Sequence, residues 1–405
     1  MQMPATPKYD LVLYGATGFT GKLTAAYLDG HPDLNGRPWA IAGRDQAKLQ
    51  AVRDSLKSAS VDIIPCKLGD KSSVDQLVKS TRAVITTAGP YSAYNGDKLL
   101  GACARHGTHY SDLSGEGFWQ REMIDSYHSV AEKSGAKIVL GGGVDSIPSD
   151  LGAYMALQGI AALDDPDVSI DVTGKYTQYS GSFSGGTLAS GKARNAAIKS
   201  GRLTKEALRD PYVLAPGAVG TGREPASLDG MPSRFKTLFD VDNGVMLPFF
   251  MGAINAPVVR RSLALEALDQ RVTYRECCSP GMWSRISWLY TSRGLGFPMG
   301  EPIKFLPKSG EGPPNWLLKQ GAFAIEVIAK ASNGEKSKVV ISGKGDPGYG
   351  ATSKMLAELG LCLANNLDSA PASTGVITPS TALGDALVHR LNAAQNGKFM
   401  RLYQR

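Results

Sequence analysis

The sequence predicts an α/β protein: an N-terminal Rossmann-type, doubly wound parallel sheet followed by a second α+β domain built on a mainly antiparallel sheet. Three observations carry this. The apolar run Leu11 to Leu13 feeds a turn with glycines at Gly15, Gly18 and Gly21, and helical spacing resumes at Leu23, Ala25, Ala26 and Leu28. Strand and helix patterns then alternate through six strands up to about residue 148, which implies parallel pairing with right-handed crossovers. From about Ser149 the strand patterns are separated by long irregular or helical stretches, as an α+β domain built on an antiparallel sheet requires. A chain of 405 residues is also long for one ordinary core.

In chain order, the first strand and helix frame the glycine turn, and Trp39 to Ala42 reads as the second strand, ending in Gly43-Arg44. A helix from about Asp45 to Ser58 carries Leu49, Val52 and Leu56 on one face. Val61 to Cys66 is the third strand, Val74, Leu77 and Val78 mark a helix, and Ala83 to Thr87 is the fourth strand. Helix Asp97 to His106, strand Thr108 to Leu113, the amphipathic Phe118 to Ser134 and strand Lys137 to Leu140 complete the first domain, taken as 1–148. In the second, 149–344, strands are expected at Val168 to Val172, Lys175 to Tyr179, Arg271 to Tyr274, Phe323 to Ala329 and Lys338 to Ser342. Cys278 to Pro314, rich in Gly, Pro and Trp, reads as a surface excursion or lid. Met355, Leu356, Leu359 and Leu363 define a helix in a C-terminal segment, 345–405, expected to pack back on the first domain.

Composition sets outer limits. Hydrophobic and charged contents of 42% and 20% describe a soluble globular protein, and a formal charge of +7 is modest. No basic run interleaves with aromatics as a nucleic-acid groove requires, so no nucleic-acid partner is expected. Five cysteines without metal-like spacing argue for a reducing compartment and against a disulfide framework or a metal site. MQMPATPKYD lacks the apolar core of a signal peptide, so a cytoplasmic location is the default expectation. The apolar stretch Val245 to Val259 is broken by Pro248, Asn255 and Pro257 and cannot span a bilayer, although a peripheral lipid contact needs no such length.

The chemistry-bearing residues fall at strand ends. In GATGFTG, Gly15 turns the chain off the strand, Gly18 admits a pyrophosphate to the backbone, and Gly21 lets the helix pack closely. Thr17, Phe19 and Thr20 complete the loop, whose N–H groups face the anion. Arg44 stands where an NAD site would place an acid, with Lys48 one turn on, so a 2′-phosphate and NADP(H) are favoured; Asp45 is either the helix N-cap or the ribose acid. Ala88, Gly89, Pro90 and Tyr91 should lie along the nicotinamide end. Tyr91 and Tyr94 are placed at the cleft mouth, as proton donors or as packing residues with a wet hydroxyl.

Gly141-Gly142-Gly143 implies close backbone approach, with Asp145 and Ser146 candidates to touch ribose or substrate; helix capping is the alternative for Asp145 and for Asp150. Ser184 to Thr187 is a second anion-accepting helix start or a plain capped one. His31, His106, His109, His128 and His389 form no recognisable constellation, and no nucleophile elbow is present, so hydrolysis is disfavoured against hydride transfer. The basic run Lys192, Arg194, Lys199, Arg202, Lys205 and Arg209 is a solvated face or a surface for an acidic carrier protein.

Taken together, GATGFTG, AGR at Ala42 to Arg44, AGPY at Ala88 to Tyr91, YNG at Tyr94 to Gly96, GTHYSDLSGE at Gly107 to Glu116 and GGGVDSIPSDLG at Gly141 to Gly152 resemble the saccharopine-dehydrogenase-like oxidoreductases. SGGT at Ser184 to Thr187, INAPVVRRS at Ile254 to Ser262 and GDPGYGATSKML at Gly345 to Leu356 extend the resemblance over nearly the whole chain, most closely to the branch of trans-acting enoyl reductases. The resemblance implies an NADPH-dependent reductase of an activated C=C on a carrier-bound, polyketide- or lipid-like substrate. It leaves Tyr94, Asp145 and Tyr349 as the catalytic candidates. Two alternatives stand beside it: an imine or saccharopine-type reductase, for which Arg260-Arg261 is the candidate guanidinium pair, and a non-catalytic NADP-binding sensor or scaffold. A homo-oligomer is compatible with either enzyme.

Overall fold

The computed structural model describes residues 7–58, 61–180, 193, 195–204, 210–222, 239–241, 244–282, 312, 318, 321–365 and 367–405. The expected Ser184 to Thr187 helix start, most of Cys278 to Pro314, and Lys192, Arg194, Lys205 and Arg209 lie outside them.

Among the described residues, the first sheet holds seven parallel strands: β1 (Tyr9–Tyr14), β2 (Trp39–Gly43), β3 (Asp62–Pro65), β4 (Thr81–Thr86), β5 (His109–Ser111), β6 (Lys137–Val139) and β13 (Gly375–Ile377), in the order β13-β6-β5-β4-β1-β2-β3. Its helices are α1 (Phe19–Asp29), α2 (Gln46–Asp54), α3 (Lys71–Lys79), α4 (Gly96–His106) and α5 (Gly117–Ser134). Every residue of β1 is buried, as expected of a central parallel strand covered on both faces. Six of the seven strands are those read from the sequence. The seventh, β13, arrives from the far end of the chain and pairs with β6, its three residues too short for any periodicity to announce them.

The second sheet runs β14-β12-β11-β7-β10-β9-β8, antiparallel except where β10 lies parallel to β7. Its members are β7 (Ile170–Ser180), β8 (Phe239–Val241), β9 (Gly244–Pro248), β10 (Val272–Cys278), β11 (Ala322–Ala331), β12 (Lys336–Lys344) and β14 (Met400–Gln404). The two strands expected at 168–172 and 175–179 are one, β7. Gly174 lies within that strand, and a Cβ there would meet the Tyr274 hydroxyl at 2.8 Å.

Among the described residues, four further helices join the layers. α6 (Ile147–Gln158) packs on β11, β12 and β7, and α7 (Gly252–Leu265) lies against α6 and β10. α8 (Thr352–Asn365) lies on α1, β4, β5 and β1, and is buried on nearly all sides. A side chain at Gly360 would sit 2.5 Å from Ile85, so the helix crosses the first sheet at close range. α9 (Pro379–Gly397), kinked at Gly384, packs on α8 and α6. The C-terminal segment is therefore more than the helices expected of 345–405: it supplies one strand to each sheet. A continuous apolar core runs from Leu11 and Ile85 through Leu151 and Met355 to Ile325 and Val327. A second apolar cluster, with Val12, Leu100 and Trp119, fills the opposite face of the first sheet.

Candidate functional site

The glycine turn has one role per glycine. Gly15 adopts φ +83°, and a Cβ there would stand 2.9 Å from the Ala88 nitrogen. Its carbonyl oxygen accepts from Gly18 N–H at 3.1 Å and from Thr87 Oγ1 at 3.0 Å. A Cβ on Gly21 would come within 2.2 Å of that same oxygen, so only glycine lets α1 seat against β1. At Gly18 the nearest atom to a Cβ is 3.5 Å away, which leaves the space above the turn open. Gly18 is the N-cap, has no capping side chain, and is followed by no acid in the first turn. The N–H groups at the start of α1 thus remain for an anion, with Thr17 and Thr20 half-buried beside them. The Phe19 side chain faces elsewhere: its ring meets Tyr349 edge-on at 4.8 Å, and Gly312 lies so close that a Cβ would fall 2.1 Å from it.

At the end of β2, Asp45 Oδ1 accepts the Lys48 N–H at 3.0 Å, so this acid is the N-cap of α2. Arg44 is exposed and has no ion pair among the described residues. Lys48 is also exposed, with its Nζ 3.9 Å from Asp45. A 2′-phosphate would find Arg44 available.

At the end of β4, Ala88 and Gly89 keep accessible backbone, whereas Pro90 and Tyr91 are buried. The placing of Tyr91 at the cleft mouth is corrected. Its hydroxyl donates to Thr86 O at 2.9 Å and accepts from Leu113 N–H at 3.0 Å, and its ring stacks on Trp119. Glu116 receives the Tyr91 and Ser92 N–H groups at 3.1 and 3.2 Å, fixing the loop from behind. Tyr91 therefore shapes the cofactor loop without a phenol to offer. Tyr94 is 52% exposed, at the loop's outer end.

The triple glycine is approached closely by other parts of the protein. Gly141 N–H and Gly142 N–H donate to the carboxylate and carbonyl of Asp112 at 3.1 and 2.6 Å, and a Cβ on Gly143 would meet Thr352 of α8 at 2.9 Å. Burial pushes the Asp112 carboxyl up to about 6 despite donors from Ser114, Gly141 and Tyr110. Asp145 follows the glycines. It keeps some solvent contact, is packed closely enough that burial pushes its carboxyl up to about 6, and no hydrogen bond to it is formed among the described residues. Asp150 is no simple cap: it accepts from Ser262 Oγ and from Ser380 N–H, the latter at 2.7 Å, tying α6 to α7 and α9.

Behind Asp145 lies a cluster that the sequence reading missed. Glu276 of β10 accepts from Ser149 Oγ at 2.5 Å, Tyr274 hydroxyl at 2.8 Å and Asn255 Nδ2 at 2.9 Å. The Tyr176 hydroxyl lies 3.0 Å from Ser149 Oγ, and its ring stacks on Phe249 at 3.8 Å. All five polar residues are buried, and Asp145 acts electrostatically on Tyr176. With Ser149 donating to Glu276, the Tyr176 O–H donates to Ser149, so three donors converge on one buried carboxylate. One signal was available: Val272, Tyr274, Glu276 and Cys278 share the buried face of a strand, and a carboxylate there demands partners.

Two other candidates are relocated. Tyr349 is buried, its N–H held 2.9 Å from Asp346 Oδ2 and its ring against Phe19. Arg260 donates to the carbonyls of Tyr274 and Pro211, and Arg261 to those of Leu214 and Val376; burial lowers the Arg261 guanidinium to about 10. This pair holds backbone carbonyls. His109 accepts the Lys137 N–H and is pushed down to about 4 by burial, and His128 accepts that of Val376.

A phosphate-accepting turn on a parallel sheet, an exposed arginine after the second strand and a half-buried carboxyl at the strand ends define a nicotinamide-nucleotide-dependent reductase. The saccharopine dehydrogenase NADP binding domain matches residues 11–139. A Mycobacterium tuberculosis protein assigned as a trans-acting enoyl reductase is 37% identical over 97% of this chain and 97% of its own length. A trans-acting enoyl reductase of Mycobacterium bovis is 34% identical over 96% and 97%. The solved apo saccharopine dehydrogenase (L-Glu forming) of Saccharomyces cerevisiae aligns over 98% of this chain and 99% of that one, at 12% identity and a TM-score of 0.48. The chain belongs to the saccharopine-dehydrogenase-like oxidoreductases, in their trans-acting enoyl reductase branch, and its first domain is an NADP(H)-binding domain. No helix among the described residues is long and apolar enough to cross a membrane.

Proposed function

We propose that this protein reduces the conjugated C=C of an acyl thioester carried by a separate synthase or carrier protein, with NADPH as reductant. When bound, NADPH supplies the hydride that the β carbon of the substrate receives. The start of α1 and Arg44 would hold its phosphates, and Ala88 and Gly89 would leave its nicotinamide end room to lie flat. The enolate that develops on the thioester carbonyl needs one proton at the α carbon. Asp145 is our candidate donor: a carboxyl raised to about 6 keeps a larger protonated fraction at neutral pH than a solvated one. Tyr94, exposed at the outer end of the loop, is the second candidate.

The observation that favours this reading over the imine or saccharopine-type alternative is the engagement of Arg260 and Arg261 with backbone carbonyls. A dicarboxylate amino-acid substrate would need guanidinium groups facing the cleft. NADPH oxidation measured against a crotonyl thioester and against a cyclic imine tests the choice. Turnover of the imine alone would establish the alternative, and tight NADPH binding without turnover of either would establish the sensor.

A further inference from the structure

The second sheet has one face packed on α6 and the core and one turned outward, and strand alternation separates them cleanly. In β12, Ser337, Val339, Ile341 and Gly343 are buried while Lys336, Lys338, Val340, Ser342 and Lys344 are exposed or half-buried. In β14, Met400 and Leu402 are buried while Arg401 and Tyr403 are exposed. Register places Tyr403 opposite Val340 and Arg401 opposite Ser342 on the outward face. Tyr403 is 43% exposed, a large ring left uncovered among cations. Glu326 of β11 shares this face and pairs with Lys338 at 2.9 Å. Lys336, Lys344, Arg401 and Arg405 form no ion pair among the described residues.

A sheet does not require this charge for its own stability, since cross-strand pairing gains from opposite charges and loses from like ones. The whole chain carries only +7, so a local excess of this size is a concentrated field. The face also leads to the site. β12 ends at Lys344, and the chain continues through Gly345 and Asp346 to Tyr349, whose ring touches Phe19 of the phosphate turn.

We infer that the outward face of β12 and β14, centred on Tyr403 and rimmed by Lys336, Lys344, Arg401 and Arg405, is the docking surface for an acidic carrier protein that presents the thioester. This rests on the enoyl reductase reading. Charge complementarity selects the occupant: a second copy would bring the same positive face against this one, whereas an acidic protein surface is attracted to the cations and can cover the ring. It differs from the basic run about Lys199 and Arg202, where Arg202 is already paired with Glu122 at 2.5 Å.

The test is a triple charge reversal, Lys336→Glu, Lys344→Glu and Arg401→Glu, assayed with a crotonyl group on a purified acidic acyl carrier protein and with the same group on pantetheine. The KM for the carrier-bound substrate should rise about tenfold or more at low salt, and the salt dependence of the wild type should largely disappear. The pantetheine thioester should be turned over as before, which also certifies the fold. Equal effects on both substrates, or none on the carrier, overturn the surface. So does a wild-type dimer that the reversal dissociates, which would assign the face to a second copy, and so does loss of binding to anionic vesicles with the carrier unaffected. If the wild type reduces neither crotonyl substrate, the enoyl reading fails by itself; calorimetry with the same carrier protein then judges the surface, by binding lost or retained in the variant.

Discussion

The phosphate turn and the buried cluster around Glu276 are built in opposite ways. The phosphate turn is contiguous: seven residues, Gly15 to Gly21, act through backbone N–H groups and through the absence of side chains. The buried cluster is assembled from α6, β7, α7 and β10, and is held by side chains, with Glu276 drawing Ser149, Tyr274 and Asn255 together. A backbone cradle tolerates no added atoms, whereas a side-chain cluster tolerates no lost partners. The two should therefore fail differently when mutated.

The largest effects belong to the glycines. Gly21→Val is expected to prevent proper folding, because its Cβ would have to lie 2.2 Å from Gly15 O. Gly18→Leu should fold with a near-normal melting temperature yet lose NADPH affinity by about a hundredfold or more, because its side chain fills the space an anion would take. Fluorescence titration with NADPH beside a thermal melt separates the cases. A Gly18→Leu protein that still binds NADPH tightly would break the distinction between the two.

Next comes the side-chain cluster. Glu276→Leu strands three donors and should cost about 3 kcal/mol or more of stability. Tyr176→Phe keeps the stack on Phe249 and removes only a hydroxyl, so its expected signature is finer: NADPH affinity unchanged, stability lowered by about 1 kcal/mol, and kcat reduced about tenfold with little change in KM. A melt and a steady-state series measure both. Unchanged kcat in Tyr176→Phe would make the cluster a clamp between α6 and the second sheet and nothing more.

This difference also sets what could be read from the chain. Six parallel strands and the cradle were legible because their signals are local: an apolar run, a glycine spacing, a helix restart. Asp45 was legible as a helix N-cap for the same reason, and its bond from the Lys48 N–H shows that role. Tyr91 was misplaced because nothing local says that Leu113 and Thr86 occupy its hydroxyl. The triple glycine correctly signalled a close approach, but its partners, Asp112 and Thr352, are distant in sequence. β13 and the Glu276 cluster depend wholly on contacts between remote segments, and neither short strands nor scattered polar residues carry periodicity.

A smaller effect sharpens the phosphate end. Arg44→Ala should weaken NADPH binding about tenfold to thirtyfold and leave NADH unchanged, because the lost interaction is a charge-assisted bond to the 2′-phosphate alone. Parallel titrations with both nucleotides measure it. Equal losses for the two would mean that Arg44 holds the pyrophosphate or the fold.

The smallest expected change in stability lies at Asp145. Its folded carboxyl, pushed up to about 6, lies above its unfolded value of about 3.9, so between these pH values the folded state binds more protons. Stability attributable to this group is therefore greatest below about pH 4, declines as pH rises through the window, and stays low above it. Asp145→Asn removes the cost of the ionised form and should stabilise the protein at pH 7 to 8 by about 1 kcal/mol, with little change at acid pH. Asp112 and Asp150, also raised to about 6, keep part of the slope in the variant. A gain in melting temperature together with a large fall in kcat, and loss of the activity limb that declines above about pH 6, would assign Asp145 the proton at the α carbon. Retention of that limb would move the donor to Tyr94 and return Asp145 to the packing of the strand ends.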